Sequence, residues 1–306
     1  MTRLEDIKIY AYLTPHPLEE DTYLEEDWIS WLPGYKAGKS EDGDSSIYRE
    51  ENIALYEKIE NYSANVLKAA LERMWPLLNG IYFHQIQLAI DYTNYKSSDA
   101  LAGYDHHHSD PAKGIYLFHI DQSLLNRYLH FFNGNEKAIP DMNIWEHELV
   151  HLKDHWQLVK ASSFKNSAYP LNNLEYYLLK YREEGIANLF DLLDGKIQKF
   201  KSIAEAKRKF ISNYNEVNKR LQSLEKSTEK DRLEIYSSYD FYEVGPWLIL
   251  EMLCEIPMVT EIASIESLEK NIVDGIILED SVKLEVLKNA FYLDNDWFLG
   301  RLKLDS

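Results

Sequence analysis

The chain has 306 residues, a net charge of −18 at neutral pH, and 45% hydrophobic against 27% charged side chains. That length can bury a substantial core as one large domain or two lobes, and an acidic surplus spread along the chain argues against a nucleic-acid partner or an anionic membrane surface. Cys254 is the only cysteine, which excludes an intramolecular disulfide and a cysteine-based zinc knuckle.

The first residues lack the apolar core of a signal peptide and no apolar run reaches membrane-spanning length, so a cytoplasmic protein is expected. Ile7 to Leu13 reads as a short strand, followed to residue 46 by an irregular acidic stretch in which Trp28, Ile29, Trp31 and Leu32 are expected to dock onto the body. From Ile47 to Leu78 the apolar residues Ile53, Tyr56, Ile59, Val66, Ala70 and Met74 recur at threes and fours, the period of a long helix, with Pro76 near its end. Ile81 to Tyr92 alternates and is rich in β-formers, which predicts a strand with Ile86, Leu88 and Ile90 on its buried face.

Gly103 to Pro111 carries the run His106, His107, His108 between Asp105 and Asp110. Neighbouring side chains diverge, so the segment reads as a solvated loop before a second strand at Lys113 to Ile120. Asp121 to Phe132 suggests a short helix ended by Asn133-Gly134-Asn135. Beyond residue 151 everything reads as helical: Leu171 to Leu193, Ile197 to Lys226, Tyr242 to Glu255, and a final pair over about 262 to 302. The lysine- and glutamate-rich stretch from Lys196 to Lys230 reads as a solvated helical face. The fold class is α+β and predominantly helical, with an N-terminal lobe at 1–160 and a helical C-terminal lobe at 161–306 forming one catalytic unit.

Between the sheet and the helices lies His147-Glu148-Leu149-Val150-His151, in a segment from Pro140 to Trp156 that Asp141 or Asn143 can cap. Histidines four apart on a helix stand one turn above each other, so both imidazoles reach one metal ion, and Glu148 is held beside any water bound to it. A catalytic zinc normally has three protein ligands. His155 lies about 12 Å along the helix from His147, a span that bonds of about 2.1 Å cannot bridge. It is expected to line the cleft or lie on the surface.

A better third ligand is Glu184 on the next long helix. Gly185 and Ala187 beside it are small enough to let that helix approach the histidine helix, and Asn188 could hydrogen-bond the outer nitrogen of a ligand histidine. Glu183 is turned about 100° away, so only one of the two glutamates can face the metal.

His-Glu-Leu-Val-His at 147 to 151, followed by Glu-Gly-Ile-Ala at 184 to 187, resembles the gluzincin class of zinc metallopeptidases. The resemblance spans roughly residues 80 to 260. It implies a zincin-like fold, one zinc held by His147, His151 and Glu184, and Glu148 as catalytic base. Where thermolysin-like members carry an aspartate four residues after the glutamate ligand, this chain has Asn188. The segment Tyr239 to Leu250 is similar to the Tyr-x-x-Gly that opens a later helix in several such peptidases, which points to Tyr242 as oxyanion donor. The implied activity is hydrolysis of a peptide or protein substrate, which could add as a strand along Lys113 to Ile120. Two rivals are a non-catalytic zinc-binding protein on the same scaffold and a helical di-iron carboxylate protein, but only Glu148/His151 has the Glu-x-x-His spacing that the second requires.

Overall fold

The computed structural model describes residues 3–13, 53–90, 102–120, 122–134, 144–161, 173–197, 199–223, 240–253 and 265–305. The expectations for the acidic stretch with Trp28 and Trp31, and for the caps Asp141 and Asn143, lie outside the described residues. The chain divides into two compact units, Met1–Trp156 and Gln157–Ser306. Most described residues are helical, and a small mixed sheet makes the fold α+β. Among the described residues no helix is long and apolar enough to cross a membrane.

The first unit is built on four strands: β1 (Lys8–Leu13), β2 (Gln85–Ile90), β3 (Ala102–Asp110) and β4 (Ile115–Ile120). Their order is β1-β2-β4-β3, with β1, β2 and β4 mutually parallel and β3 antiparallel on the edge. Parallel neighbours need a crossover connection. Helix α1 (Ile53–Leu78) lies in the one joining β1 to β2. Its residues Ile59, Val66, Leu67, Ala70, Leu71 and Met74 are buried at helical spacing. Pro76 sits inside the last turn rather than at the end, and Gly80 leaves the helix at φ +92°, a conformation that side chains with a Cβ rarely adopt.

All six residues of β2 and all six of β4 are buried, on both faces. Interior strands flanked on two sides give such patterns. The Lys113 to Ile120 segment is therefore not an edge: β4 is hydrogen-bonded to β2 on one side and β3 on the other, so a substrate strand has no access there. The edge on that side of the sheet is β3, formed by the histidine-rich segment expected to be a loop. Its ladder is regular from Ala102 to Asp105 and then shifts, resuming at Asp110 opposite Ile115. Extra residues on one strand make a bulge, and Ser109 closes this one. Its hydroxyl donates to the Asp105 carbonyl at 2.6 Å and accepts the Leu117 N–H at 3.0 Å.

Tyr104 on β3 and Phe118 on β4 are paired across the ladder with ring centroids 5.5 Å apart, and Phe118 meets Trp145 edge-on at 6.2 Å. That face of the sheet therefore receives helix α3 (Ile144–Ala161), whose Trp145, Leu149 and Leu152 are buried. Helix α2 (Gln122–Phe132) precedes it, and Gly134 at φ +74° follows α2 as the Asn-Gly-Asn signal suggests.

The second unit is helical: α4 (Asn173–Ala187), α5 (Leu189–Leu193), α6 (Ile203–Ser223), α7 (Phe241–Leu253), α8 (Ile265–Val273), α9 (Asp280–Ala290) and α10 (Asn295–Asp305). Two expectations change. The helix expected over Leu171 to Leu193 breaks at Asn188, whose φ of −90° and ψ of 0° separate α4 from α5. The final pair is three helices, parted by turns around Gly275 and Leu293.

The core of this unit is an aromatic cluster. Tyr181 stands edge-on to Phe241, Phe210 and Tyr177 at centroid distances of 4.7, 5.1 and 5.3 Å. Its hydroxyl lies 2.9 Å from that of Tyr177 and accepts the Asn213 amide at 3.1 Å, so the buried phenols keep polar partners. Among the described side chains of α6, Ala206, Phe210, Asn213 and Val217 are buried, and the other positions from 203 to 220 are partly or fully exposed, the face that its composition suggests.

Candidate metal centre

In the first unit, the helical repeat brings the two motif histidines together. Nε2 of His147 and Nε2 of His151 are 2.9 Å apart, with ring centroids at 4.6 Å and planes 77° apart. One ring can donate its N–H to the other. With both Nε2 atoms deprotonated the lone pairs converge on a common point instead. A tetrahedral ion with bonds of about 2.1 Å holds two nitrogens about 3.4 Å apart, so a slight opening of the rings fits the pair to one zinc.

Glu148 is buried on the same turn. Its Oε2 accepts the main-chain N–H of Tyr104 at 2.7 Å, and its Oε1 lies 3.8 Å from His147 Nε2. The carboxylate is thus fixed at one oxygen by the edge strand and turned towards the histidines with the other. Sequence reasoning offers no candidate at Tyr104, because Gly103 to Pro111 has no apolar alternation to mark it as a strand.

His155 is half-buried on α3, two turns beyond Glu148. Its Nδ1 lies 3.1 Å from the Tyr104 hydroxyl, and its ring is 5.9 Å from Tyr104 and 5.3 Å from His106. It therefore serves the packing of β3 on α3. Burial raises the Tyr104 phenol well above the ordinary tyrosine pKa, so the hydroxyl keeps its proton and can donate to an imidazole protonated at Nε2.

In the second unit, the two neighbouring glutamates on α4 part company as helical geometry requires. Glu183 is half-exposed and pairs with Lys180 at 2.8 Å, whereas Glu184 is buried, with Lys180 Nζ at 3.8 Å. Within this unit Gly185 meets α7. A Cβ there would lie 2.7 Å from the carbonyl carbon and oxygen of Gly245, and a Cβ on Gly245 would lie 2.7 Å from the Tyr181 oxygen and 2.8 Å from the Gly185 Cα. The two sequence segments, Glu-Gly-Ile-Ala and Tyr-Glu-Val-Gly, are the two sides of one helix crossing. Backbones approach this closely only where both contact residues lack a Cβ.

Asn188 bonds back to its own helix. Its Nδ2 donates to the Glu184 carbonyl at 2.8 Å, alongside its N–H at 2.9 Å. The bond satisfies a carbonyl at the end of α4 and holds the turn that carries Glu184. Tyr242 is the second residue of α7, three before Gly245, and is 53% exposed. Its hydroxyl can therefore be reached from solvent.

Comparisons with family models, with curated proteins and with solved structures find no match to the chain.

Proposed function

We propose that the chain is a zinc-dependent metallopeptidase of the gluzincin kind on a zincin-like fold, with His147, His151 and Glu184 as ligands of one zinc. The observation that carries this reading is the convergence of the His147 and His151 Nε2 atoms beside a buried Glu148 whose second carboxylate oxygen faces them. Glu184 completes a donor set of two imidazoles and one carboxylate, the kinds of atom that zinc takes. Its burial, against the exposure of Glu183, supports the choice between the two.

His147, His151 and Glu184 would hold the zinc, which would supply a Lewis acid able to lower the pKa of water towards about 7. Glu148 takes the proton of the attacking water on the carboxylate oxygen not held by Tyr104, then passes it to the leaving amine. Tyr242 donates its phenolic hydrogen to the oxyanion formed from the substrate carbonyl. The substrate is a peptide or protein. A lone cysteine asks nothing of an oxidising compartment, in keeping with a cytoplasmic enzyme.

Metal analysis of the purified protein should find about one zinc per chain. In a peptide-library assay the parent should cleave, and Glu148→Gln should keep its zinc while losing at least about 10²-fold in rate, because glutamine cannot accept the proton. Equal cleavage by the two proteins sinks the mechanism. Zinc without any cleavage by the parent turns the reading to a non-catalytic scaffold.

A further inference from the structure

The segment from Tyr104 to Ser109 is the part of the first unit that the proposed chemistry leaves unused, yet it touches the acid-base residue. An edge strand presents alternate N–H groups away from its sheet, and each needs a partner. Tyr104 gives its outward N–H to Glu148 Oε2 at 2.7 Å. The acceptor carries charge, which makes such a bond roughly twice as strong as one between neutral groups. It also removes most of the rotational freedom of a side chain with three rotatable bonds.

The sheet holds Tyr104 on one side only. Upstream the ladder to β4 is regular; immediately after Asp105 it breaks into the bulge, where the Ser109 hydroxyl stands in for the missing backbone partner. A second tie comes from the same residue's side chain. The phenol reaches Nδ1 of His155 at 3.1 Å, and the His106 ring packs on His155 at 5.3 Å. Glu148 and His155 are seven residues apart, two turns and about 10.5 Å along one face of α3. One tyrosine thus grips the helix at both points, through its main chain and through its side chain.

We propose that Tyr104 is a positioning residue for Glu148, its main-chain N–H fixing one carboxylate oxygen while the phenol–imidazole bond to His155 keeps that N–H in place. The inference rests on the peptidase reading for its consequence in turnover, but not for the contact itself. Misplacement of a catalytic group by about 1 Å can cost on the order of 10²-fold, so partial loss of the grip should lower kcat and leave KM, which reports substrate binding, nearly unchanged.

The test pairs amide hydrogen exchange at residue 104 with steady-state kinetics on the full chain. Glu148→Ala should speed exchange of that amide about five-fold or more, the expected effect of losing one hydrogen bond. Tyr104→Phe and His155→Ala should each speed it by a smaller factor, and His155→Asn, which keeps an acceptor at the δ position, should restore the parent rate. In the assay, Tyr104→Phe should lose about 10-fold in kcat with KM and zinc content held. Unchanged exchange in Glu148→Ala overturns the anchor, and unchanged kcat in Tyr104→Phe, with exchange accelerated, overturns its role in catalysis. A parent protein that cleaves nothing refutes the peptidase reading, and exchange alone then decides whether Tyr104 holds Glu148.

Discussion

The two halves of the proposed metal site are made by different physics. On α3 the pair His147 and His151 follows from the helical repeat alone: any stable helix carrying histidines four apart sets their rings one above the other, and here the Nε2 atoms stand 2.9 Å apart. On α4 the orientation of Glu184 depends on tertiary packing. The helix is seated against α7 by Gly185 on Gly245, where a Cβ on either residue would lie under 3 Å from the other helix's backbone. A motif readable within five residues is robust to its surroundings, whereas a single glutamate is only as well placed as the crossing that seats its helix.

The largest expected effect tests whether both halves belong to one site. Outer-shell partners of a metal typically contribute 10- to 100-fold to its affinity, so loss of a ligand should exceed that. Glu184→Ala and His151→Ala should each weaken zinc binding by more than about 10²-fold, while Glu183→Ala should leave it unchanged. A competition titration against a chelator reads this directly, and full retention in Glu184→Ala removes that residue from the site.

Next in size is the contribution of α7. Tyr242→Phe should keep the zinc and the fold and lower kcat by about 10²-fold, the usual effect of removing one oxyanion donor. Unchanged kcat returns Tyr242 to the many tyrosines that only pack.

The smallest effect concerns the crossing itself. Gly185→Ala places a methyl 2.7 Å from the Gly245 backbone, where nothing can swing aside. The strain should cost about 1–3 kcal/mol, read as a fall of several degrees in the unfolding temperature. Ala187→Gly, at a helix end, should cost about 1 kcal/mol or less by helix propensity alone. Equal losses in the two would mean that the close approach is not what Gly185 provides.

Much of this architecture is legible before any coordinates. Helical periodicity finds α1, α3 and α6, and runs of β-formers find β2 and β4, because each signal lies within one element's own residues, although both strands are buried on two faces rather than the one face expected of Ile86, Leu88 and Ile90. The His-Glu-x-x-His spacing identifies the histidine pair for the same reason. What escapes is whatever depends on a second element. Strand β3 is polar, held by its pairing to β4 and by the bonds of its Tyr104 to Glu148 and His155 of α3, so Gly103 to Asp110 resembles a loop. Asn188 interrupts a periodic stretch without a glycine or proline to announce it. Gly185 is visibly a site of close approach, but only the fold reveals that its counterpart is Gly245.

The bulge in β3 has a further consequence, for the behaviour of the protein at high concentration. An exposed, flat edge strand can template the addition of another chain and so seed aggregation. Here the ladder register is lost between Asp105 and Asp110, one outward N–H is already taken by a carboxylate from α3, and charged side chains flank the irregular stretch. A second molecule finds at most a few residues of regular edge to pair with. The register shift at the histidine run is also what keeps this edge from propagating the sheet from one molecule to the next.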